Sequence, residues 1–383
     1  MLDTSNMIPI IVVTDDNYAQ HLGVMLTSLF ENAAQSERVQ IHVITAGLSD
    51  NNTSKLMEIT GLYGANIEFL TVDPSLYSGF GVRNRMSHTA YYKLAIPELF
   101  CDRFEKCIFL DCDIIIKADI EELWNIDVSG TAVAAVKQPF FTRHDQLNIP
   151  DGSSTFNSGV MVINLRQWVE SRVKERAIEF LKYNSHRIVF HDQDALNAVL
   201  NDNWIEVNPR WNQLTSFLYA NHEELGWSQK QWSEVFDSPA IVHYSSTKPW
   251  YYLNDHPYKQ DYYDYLIKTP WSNYIPPDQE PALQLMNKKT IVVYGTGSGG
   301  DRVHALLTER GRSISYFVDS NSVKWGQAFH EKMVCSPETL LREDQSELAI
   351  FIASYSYYTE IAKSLEGLGF RENEHFIAGF GRR

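Results

Sequence analysis

The chain reads as an α/β protein in two parts, a large domain on a mostly parallel sheet covered by helices on both faces and a second, smaller α/β domain. Three observations predict this. Apolar runs of strand length alternate with stretches of helical spacing, which implies crossovers between parallel strands. At 383 residues the chain is too long for one ordinary domain. A proline-containing stretch, Thr269-Pro270 through Ile275-Pro276-Pro277 to Pro281, breaks regular structure before the pattern resumes. The expected division is residues 1–265, a linker at 266–287, and 288–383.

Ile8 to Thr14 is a buried strand, and Leu22, Met25, Leu26 and Leu29 then recur at helical spacing. Val39 to Thr45 is the next strand, Ser49 caps a helix through Thr60, and Asn66 to Thr71 is a third strand. Further strands are expected at Lys106 to Leu110, Ile114 to Ile116, Thr131 to Val136, Ser158 to Ile163 and Trp204 to Val207. The amphipathic stretch from Leu165 to Tyr183 reads as one long helix. Beyond the prolines, Thr290 to Tyr294 is a strand, Asp301 to Arg310 a helix ended by Gly311, and Ser313 to Val318 a strand. Leu348 to Ala353 and Tyr357 to Leu368 repeat that unit.

The 33 Lys and Arg against 48 Asp and Glu give a formal charge of −15. Such a surface repels nucleic acid and anionic headgroups within about a Debye length, so no nucleic-acid partner is expected. No apolar run approaches the roughly 18 residues of a membrane helix, and no basic stretch precedes Ile8 as a signal peptide would require. Cys101, Cys107, Cys112 and Cys335 form no CxxC pair, which fits a reducing, cytoplasmic setting. An anionic substrate would need local compensation from a metal or a few placed lysines.

The segment Phe109 to Ile116 carries Asp111 and Asp113 one residue apart between apolar strands. In an extended chain residues i and i+2 point the same way, so both carboxylates can aim at one point. Close carboxylates repel without a cation between them, and a hard divalent ion, magnesium or manganese, meets that need while leaving positions for a diphosphate. On its own the pair reads more simply as two solvated turn acids. Asp15-Asp16-Asn17-Tyr18 follows the first strand, at the carboxyl end of the sheet where such folds bind ligands, although helix capping by Asp16 or Asn17 is the plainer role. His191-Asp192-Gln193-Asp194 opens an apolar helical run and could be merely a charged helix start. His243 through Trp250 places an imidazole and the Lys248 ammonium five residues apart.

In this order these segments resemble glycosyltransferase family 8, the retaining enzymes of the lipooligosaccharide galactosyltransferase and glycogenin type, over roughly residues 7 to 265. The resemblance rests on Asp15-Asp16-Asn17-Tyr18, Asp111-Cys112-Asp113, Phe156-Asn157-Ser158-Gly159 through Asn164, Asp192-Gln193-Asp194, and His243 through Trp250. It implies the A-type nucleotide-sugar glycosyltransferase fold and a hexose donor, UDP-glucose or UDP-galactose, held through manganese(II), with magnesium as the alternative. By that resemblance Asp15, Asn17, Lys93 and Cys112 contact the nucleotide. Asp111, Asp113 and His243 are the metal ligands and Lys248 meets the diphosphate. Asn157, Ser158 and Asp192 touch the donor sugar, and Gln193 lies beneath the anomeric carbon, so Gln193 and Asp192 are the catalytic candidates. The acceptor is a glycan, lipid-linked or protein-linked, and a site peripheral to the inner face of the membrane is a further expectation.

Three positions depart from the family pattern: Lys93 where many members have Arg, Ser246 in place of the Gly of the closing motif, and no acid near Val136-Lys137-Gln138. A neutral amide such as Gln193 is a poor nucleophile. Front-face attack by the acceptor with retention is therefore favoured, and double displacement through Asp192 stays open.

In the smaller domain Gly295-Thr296-Gly297-Ser298-Gly299-Gly300 follows a strand and precedes a helix, with Asp319 closing the next strand. This matches the dinucleotide fingerprint and its ribose-binding acid, and the domain is similar to the Rossmann-like N-terminal domains of bacterial sugar acyltransferases. Gly295, Gly297, Gly300 and Asp319 are thus a candidate second nucleotide site, on a module through which a homo-oligomer could also assemble. The alternative function is a nucleotide-binding oxidoreductase or sensor centred on that loop.

Overall fold

Ile8–Val13 is apolar at every position, so its side chains alternate into two buried layers and the strand lies inside the sheet. A computed structural model describes residues 7–81, 88–354 and 356–380; the start of the chain, read above for a signal peptide, lies outside the described residues. In chain order the strands are β1 (Ile8–Val13), β2 (Val39–Thr45), β3 (Asn66–Thr71), β4 (Lys106–Leu110), β5 (Ile114–Ile116), β6 (Val133–Lys137), β7 (Phe156–Asn164), β8 (Trp204–Glu206), β9 (Gln213–Leu214) and β10 (Ile241–His243).

Seven of these form one sheet in the order β3-β2-β1-β4-β7-β6-β8. The first four are mutually parallel, while β7 runs antiparallel to both β4 and β6. On one face Ile10 and Val12 pack with Leu22, Met25 and Leu26; on the other Ile11 packs with Phe109, Met161 and Leu196. Burial on both faces is what the unbroken apolar runs require. The small sheet β5-β10-β9 sets His243 opposite Ile114 and beside Leu214.

Ser49 caps the helix Asp50–Leu62, its Oγ accepting from Asn52 N–H. The single helix expected over Leu165 to Tyr183 is instead two, Leu165–Glu170 and Val173–Asn184. Arg172 between them has φ +52°, a left-handed conformation that ends the first helix. The buried residues mark the break as well, since Trp168 and Val173 are separated by one step too many for a continuous helical face.

Two compact units emerge, Met1–Ser245 with Asp264–Ser272, and Ser246–Tyr263 with Asn273–Arg383. Residues 246–263, expected in the first domain, cluster with the second because Leu253 enters its core with Ala282, Leu285 and Met286. Those partners belong to a helix, Gln279–Met286, inside the stretch expected to be a linker. The second unit adds β11 (Thr290–Tyr294), β12 (Tyr316–Val318), β13 (Ala328–Phe329), β14 (Lys332–Cys335), β15 (Leu348–Ile352) and β16 (Phe376–Ala378), in the order β13-β14-β12-β11-β15-β16. All pair in parallel except β13 with β14. Strand order reverses on either side of β11, which places a topological switch point at Gly295.

Candidate active site

The carboxyl end of β4 carries Asp111, whose N–H donates to Gly159 O at 2.8 Å, tying the end of β4 to β7. Asp113 follows two residues later, and its carbonyl accepts from Tyr244 N–H at 3.0 Å, which brings the end of β10 alongside. Two strand ends and a return strand thus converge. His243 Nε2 lies 3.4 Å from Asp113 Oδ1 and 3.9 Å from Asp111 Oδ2. Ligand atoms of the three residues all lie within 4.8 Å of one another. Gly159 is the residue that lets β7 pass: a Cβ there would stand 2.4 Å from His243 Cε1 and 2.6 Å from Asp111 Oδ2.

The donor set fits a divalent cation. Burial pushes the Asp111 carboxyl above the ordinary carboxylate value, and the nearby Asp113 adds to this against the opposing pull of Lys93 and His243. His243 is 3% exposed, and its Nδ1 is paired with Asn212 Oδ1 at 2.8 Å, so its other nitrogen faces the two acids. Two oxygens and one imidazole nitrogen suit manganese or magnesium.

Lys93, expected to meet the nucleotide, is held by groups of the protein itself. Its Nζ lies 2.8 Å from Asp192 Oδ2 and 3.6 Å from Asp111 Oδ1, and it donates to Ser158 O at 3.3 Å and Ser158 Oγ at 3.4 Å. Ser158 Oγ donates to Asp192 Oδ2 at 2.9 Å. Burial alone would lower the lysine pKa, but Asp111 and Asp192 together raise it, so the site keeps a fixed cation beside its two acids.

Gln193 Oε1 accepts from Asn157 Nδ2 at 3.0 Å and from Ser158 N–H at 3.2 Å. Asp194, the last acid of its motif, is taken up by structure: it pairs with Arg143 at 2.9 Å and accepts from Val189 N–H and Phe190 N–H. His191, which opens this helix, has φ +51°. Asp192, Gln193, Asn157, Ser158, Lys93 and the three metal candidates therefore form one cluster.

Asp15 Oδ1 accepts from Asn17 N–H at 3.0 Å and Tyr18 N–H at 3.2 Å, shaping the turn after β1, while Asn17 is exposed. Neither Asp16 nor Asn17 caps the following helix with its side chain; Asp16 instead accepts from Ser49 and Asn52. The Cys112 side chain is buried in the core and donates to Val13 O at 3.3 Å, and burial raises its pKa, so it stays a neutral thiol. Lys248 is buried, 5.9 Å from the Trp250 ring centroid, within the segment that packs with the second unit. Ser246 is not among the residues with positive φ, so its departure from glycine carries no backbone strain.

At the second candidate site the glycines divide their roles. A Cβ on Gly299 would stand 2.0 Å from Ala353 O, and one on Gly300 would stand 2.5 Å from Gly295 O; both positions serve close packing of helix on strand. Gly297 faces open space. Asp319 Oδ2 accepts from Thr296 Oγ1, Thr296 N–H and Lys324 Nζ, and its Oδ1 from Asn321 N–H, so this acid closes the loop on itself.

Asn212, Asn197 and Arg143 were not legible as site residues. Each is a lone polar residue with no motif around it, and only the fold sets Asn212 against His243 and Asn197 against the main chain of Phe156.

The family model for glycosyl transferase family 8 matches residues 9–254, and one described as C2185-like, N-terminal, matches 286–376. General stress protein A of Bacillus subtilis (strain 168) is 38% identical over 271 residues, 69% of this chain and 94% of its own length. Lipopolysaccharide 1,3-galactosyltransferase of Salmonella typhimurium is 25% identical over 268 residues, 68% of this chain and 77% of its own. Among solved structures, galactosyltransferase LgtC in complex with donor and acceptor sugar analogs matches with a TM-score of 0.62 at 24% identity, over 71% of this chain and 99% of that one. Glycosyltransferase GlyE of Streptococcus pneumoniae TIGR4 matches with 0.53 at 17%, over 98% and 91%. These likenesses show the fold, a mixed α/β sheet of the A-type glycosyltransferase kind.

Proposed function

Because the chain belongs to glycosyltransferase family 8, we propose that it moves a hexose, glucose or galactose, from a UDP-sugar held through manganese(II) or magnesium to a glycan, lipid-linked or protein-linked acceptor. The observation that carries this is the convergence of Asp111, Asp113 and His243 beside the buried Lys93–Asp192 pair. Relatives described as lipopolysaccharide glucosyltransferases and a galactosyltransferase support the choice of sugar.

Asp111, Asp113 and His243 would hold the cation, which when bound supplies Lewis-acid stabilisation of the leaving diphosphate. Asp15 and Asn17 would meet the nucleotide, with Cys112 contributing through its main chain. Lys248 would offer a second positive charge to the diphosphate, where negative charge develops as the sugar–phosphate bond breaks. Lys93 keeps Asp111 and Asp192 from repelling one another and orients Asp192 toward the sugar hydroxyls together with Asn157 and Ser158. Gln193 Oε1 already accepts two hydrogen bonds. These bonds orient the amide, and because a neutral amide is a poor nucleophile, electrostatic support of the cationic sugar and front-face attack with retention are favoured over a covalent intermediate.

Among the described residues no helix is long and apolar enough to cross a membrane; a cytoplasmic place, peripheral to the membrane, is part of the proposal. Residues 288–383 would be an accessory module that binds a ligand or a second copy. The alternative, an oxidoreductase or sensor on the Gly295 to Gly300 loop, gains no support from Asp319, which is engaged within the loop. A screen of UDP-sugars for metal-dependent UDP release separates the readings. Metal-dependent UDP release supports cleavage of the sugar–phosphate bond, the first reading, and turnover of a nicotinamide with no UDP release would favour the alternative.

A further inference from the structure

Between the metal candidates and the sugar candidates stands Asn212, fully buried and outside every motif. Its Nδ2 donates to Asn157 Oδ1 at 2.9 Å and its Oδ1 faces His243 Nδ1 at 2.8 Å. The orientations of Asn157 and Gln193 follow from main-chain groups that can only donate, and that of Asn212 follows from Asn157. Gly159 N–H donates to Asn157 Oδ1 at 3.0 Å, which identifies that atom as oxygen and turns Asn157 Nδ2 toward Gln193. Ser158 N–H donates to Gln193 Oε1 at 3.2 Å, which identifies the receiving oxygen there. Asn212 must then present its amino group to Asn157, so its oxygen is the atom facing His243. A neutral His243 therefore carries its proton on Nδ1 and turns an unprotonated Nε2 to Asp111 and Asp113.

We propose that Asn212 is a positioning residue that couples the two halves of the site, holding His243 in the tautomer that can ligate a cation and Asn157 in the orientation that binds Gln193. This rests on the reading of Asp111, Asp113 and His243 as a cation site. A ring nitrogen with its proton fixed elsewhere is a ready ligand, and groups behind metal-binding imidazoles commonly do this work. The same amide reaches the sugar side, so cation affinity and Gln193 placement depend on one side chain. Asn197 supports the far end, accepting from Phe156 N–H and donating to Gln193 O, but it does not touch His243.

Two variants separate the halves. Asn212→Leu has nearly the same shape and makes neither bond. Asn212→Asp still accepts from His243 Nδ1, yet an ionised carboxylate cannot donate to Asn157 Oδ1. Imidazole ¹⁵N shifts of the metal-free full chain at mildly alkaline pH report the His243 tautomer, calorimetry reports manganese affinity, and steady-state kinetics with a UDP-sugar report kcat and KM. The wild type is expected to show a proton on Nδ1. Asn212→Leu should lose that preference and bind manganese about 10–100-fold more weakly. Asn212→Asp should keep the tautomer and bind manganese within a few-fold of wild type, while kcat falls about 10-fold or more. A wild-type tautomer and manganese affinity in Asn212→Leu would overturn the proposal, as would full kcat in Asn212→Asp. If Asn212→Leu melts too low for study, Asn212→Asp decides alone, since loss of the tautomer with kcat intact would contradict both halves. The tautomer is read without metal or donor, so a wild type that binds no manganese would refute the cation reading and leave this measurement standing.

Discussion

Lys93 and Asp192 form a buried ion pair, Nζ to Oδ2 2.8 Å, with both side chains about nineteen-twentieths hidden and Asp111 Oδ1 3.6 Å from the same ammonium. One cation thus serves two acids assigned to different tasks, and its hydrogen bonds to Ser158 O and Oγ fix it in place. Removing it leaves buried negative charge uncompensated. Lys93→Met is expected to destabilise the fold by about 3–5 kcal/mol, the usual cost of stranding one partner of a buried pair. Urea unfolding of the metal-free chain measures this, and an unchanged midpoint would contradict the pairing.

Gln193, proposed to lie beneath the sugar, has its amide oxygen held by Asn157 Nδ2 and Ser158 N–H. Gln193→Ala should lower kcat while leaving KM for the donor nearly unchanged, because the lost interaction belongs to the transition state. Mass spectrometry during turnover should find no sugar on Asp192, and a trapped glycosyl adduct there would establish double displacement.

Gly159 has no room for a methyl group, since a Cβ would meet His243 Cε1 at 2.4 Å and Asp111 Oδ2 at 2.6 Å. Gly159→Ala should push these ligands apart, costing about 1–3 kcal/mol of stability and weakening manganese binding. Calorimetric titration that finds wild-type affinity in this variant would mean that the three side chains are not the binding site.

Lys259 in the second unit is buried enough to be pushed down to about 8, with Arg310 adding to the effect and Asp278 and Asp255 opposing it. Its folded value lies below the unfolded one, so between about pH 8 and the ordinary lysine value of 10.5 the unfolded chain holds more protons. Stability therefore gains from this group as pH rises through that window. Compared with Lys259→Met, the wild type should become progressively more stable across it, as read from the difference in melting temperature. A difference that stays flat from pH 8 to 10.5 would show that the ammonium is not destabilised by burial.

Strands such as β1 and β11 were legible because the apolar runs Ile8–Val13 and Thr290–Tyr294 are long enough to need burial on both faces, whereas the short strands β9, β10, β13, β14 and β16 present no such run and were not expected. Asp111 and Asp113 were legible because their spacing in an extended segment puts them on one side. Position in sequence does not reveal what the fold brings together across the sheet. Lys93 pairs with Asp192 across 99 positions, and Asn212 reaches both Asn157 and His243 through contacts set by β9 and β10. The helix break at Arg172 shows in the sequence only as the five-residue step from Trp168 to Val173, which the amphipathic pattern on either side overrides, and the left-handed torsion that makes the break is carried by an ordinary residue. The segment 246–263 was assigned by its motif, whereas Leu253 packs with residues that lie beyond the prolines.

The most direct test of the central claim is UDP release from UDP-glucose and UDP-galactose by wild type and Asp113→Ala, with added manganese and with excess chelator. The wild type should release UDP from at least one donor only when metal is present. Asp113→Ala should be slower by about 100-fold or more, the scale of a lost electrostatic contribution at the leaving group, while its circular dichroism stays that of the folded chain. Near-normal release by Asp113→Ala, or by wild type in chelator, would contradict the account.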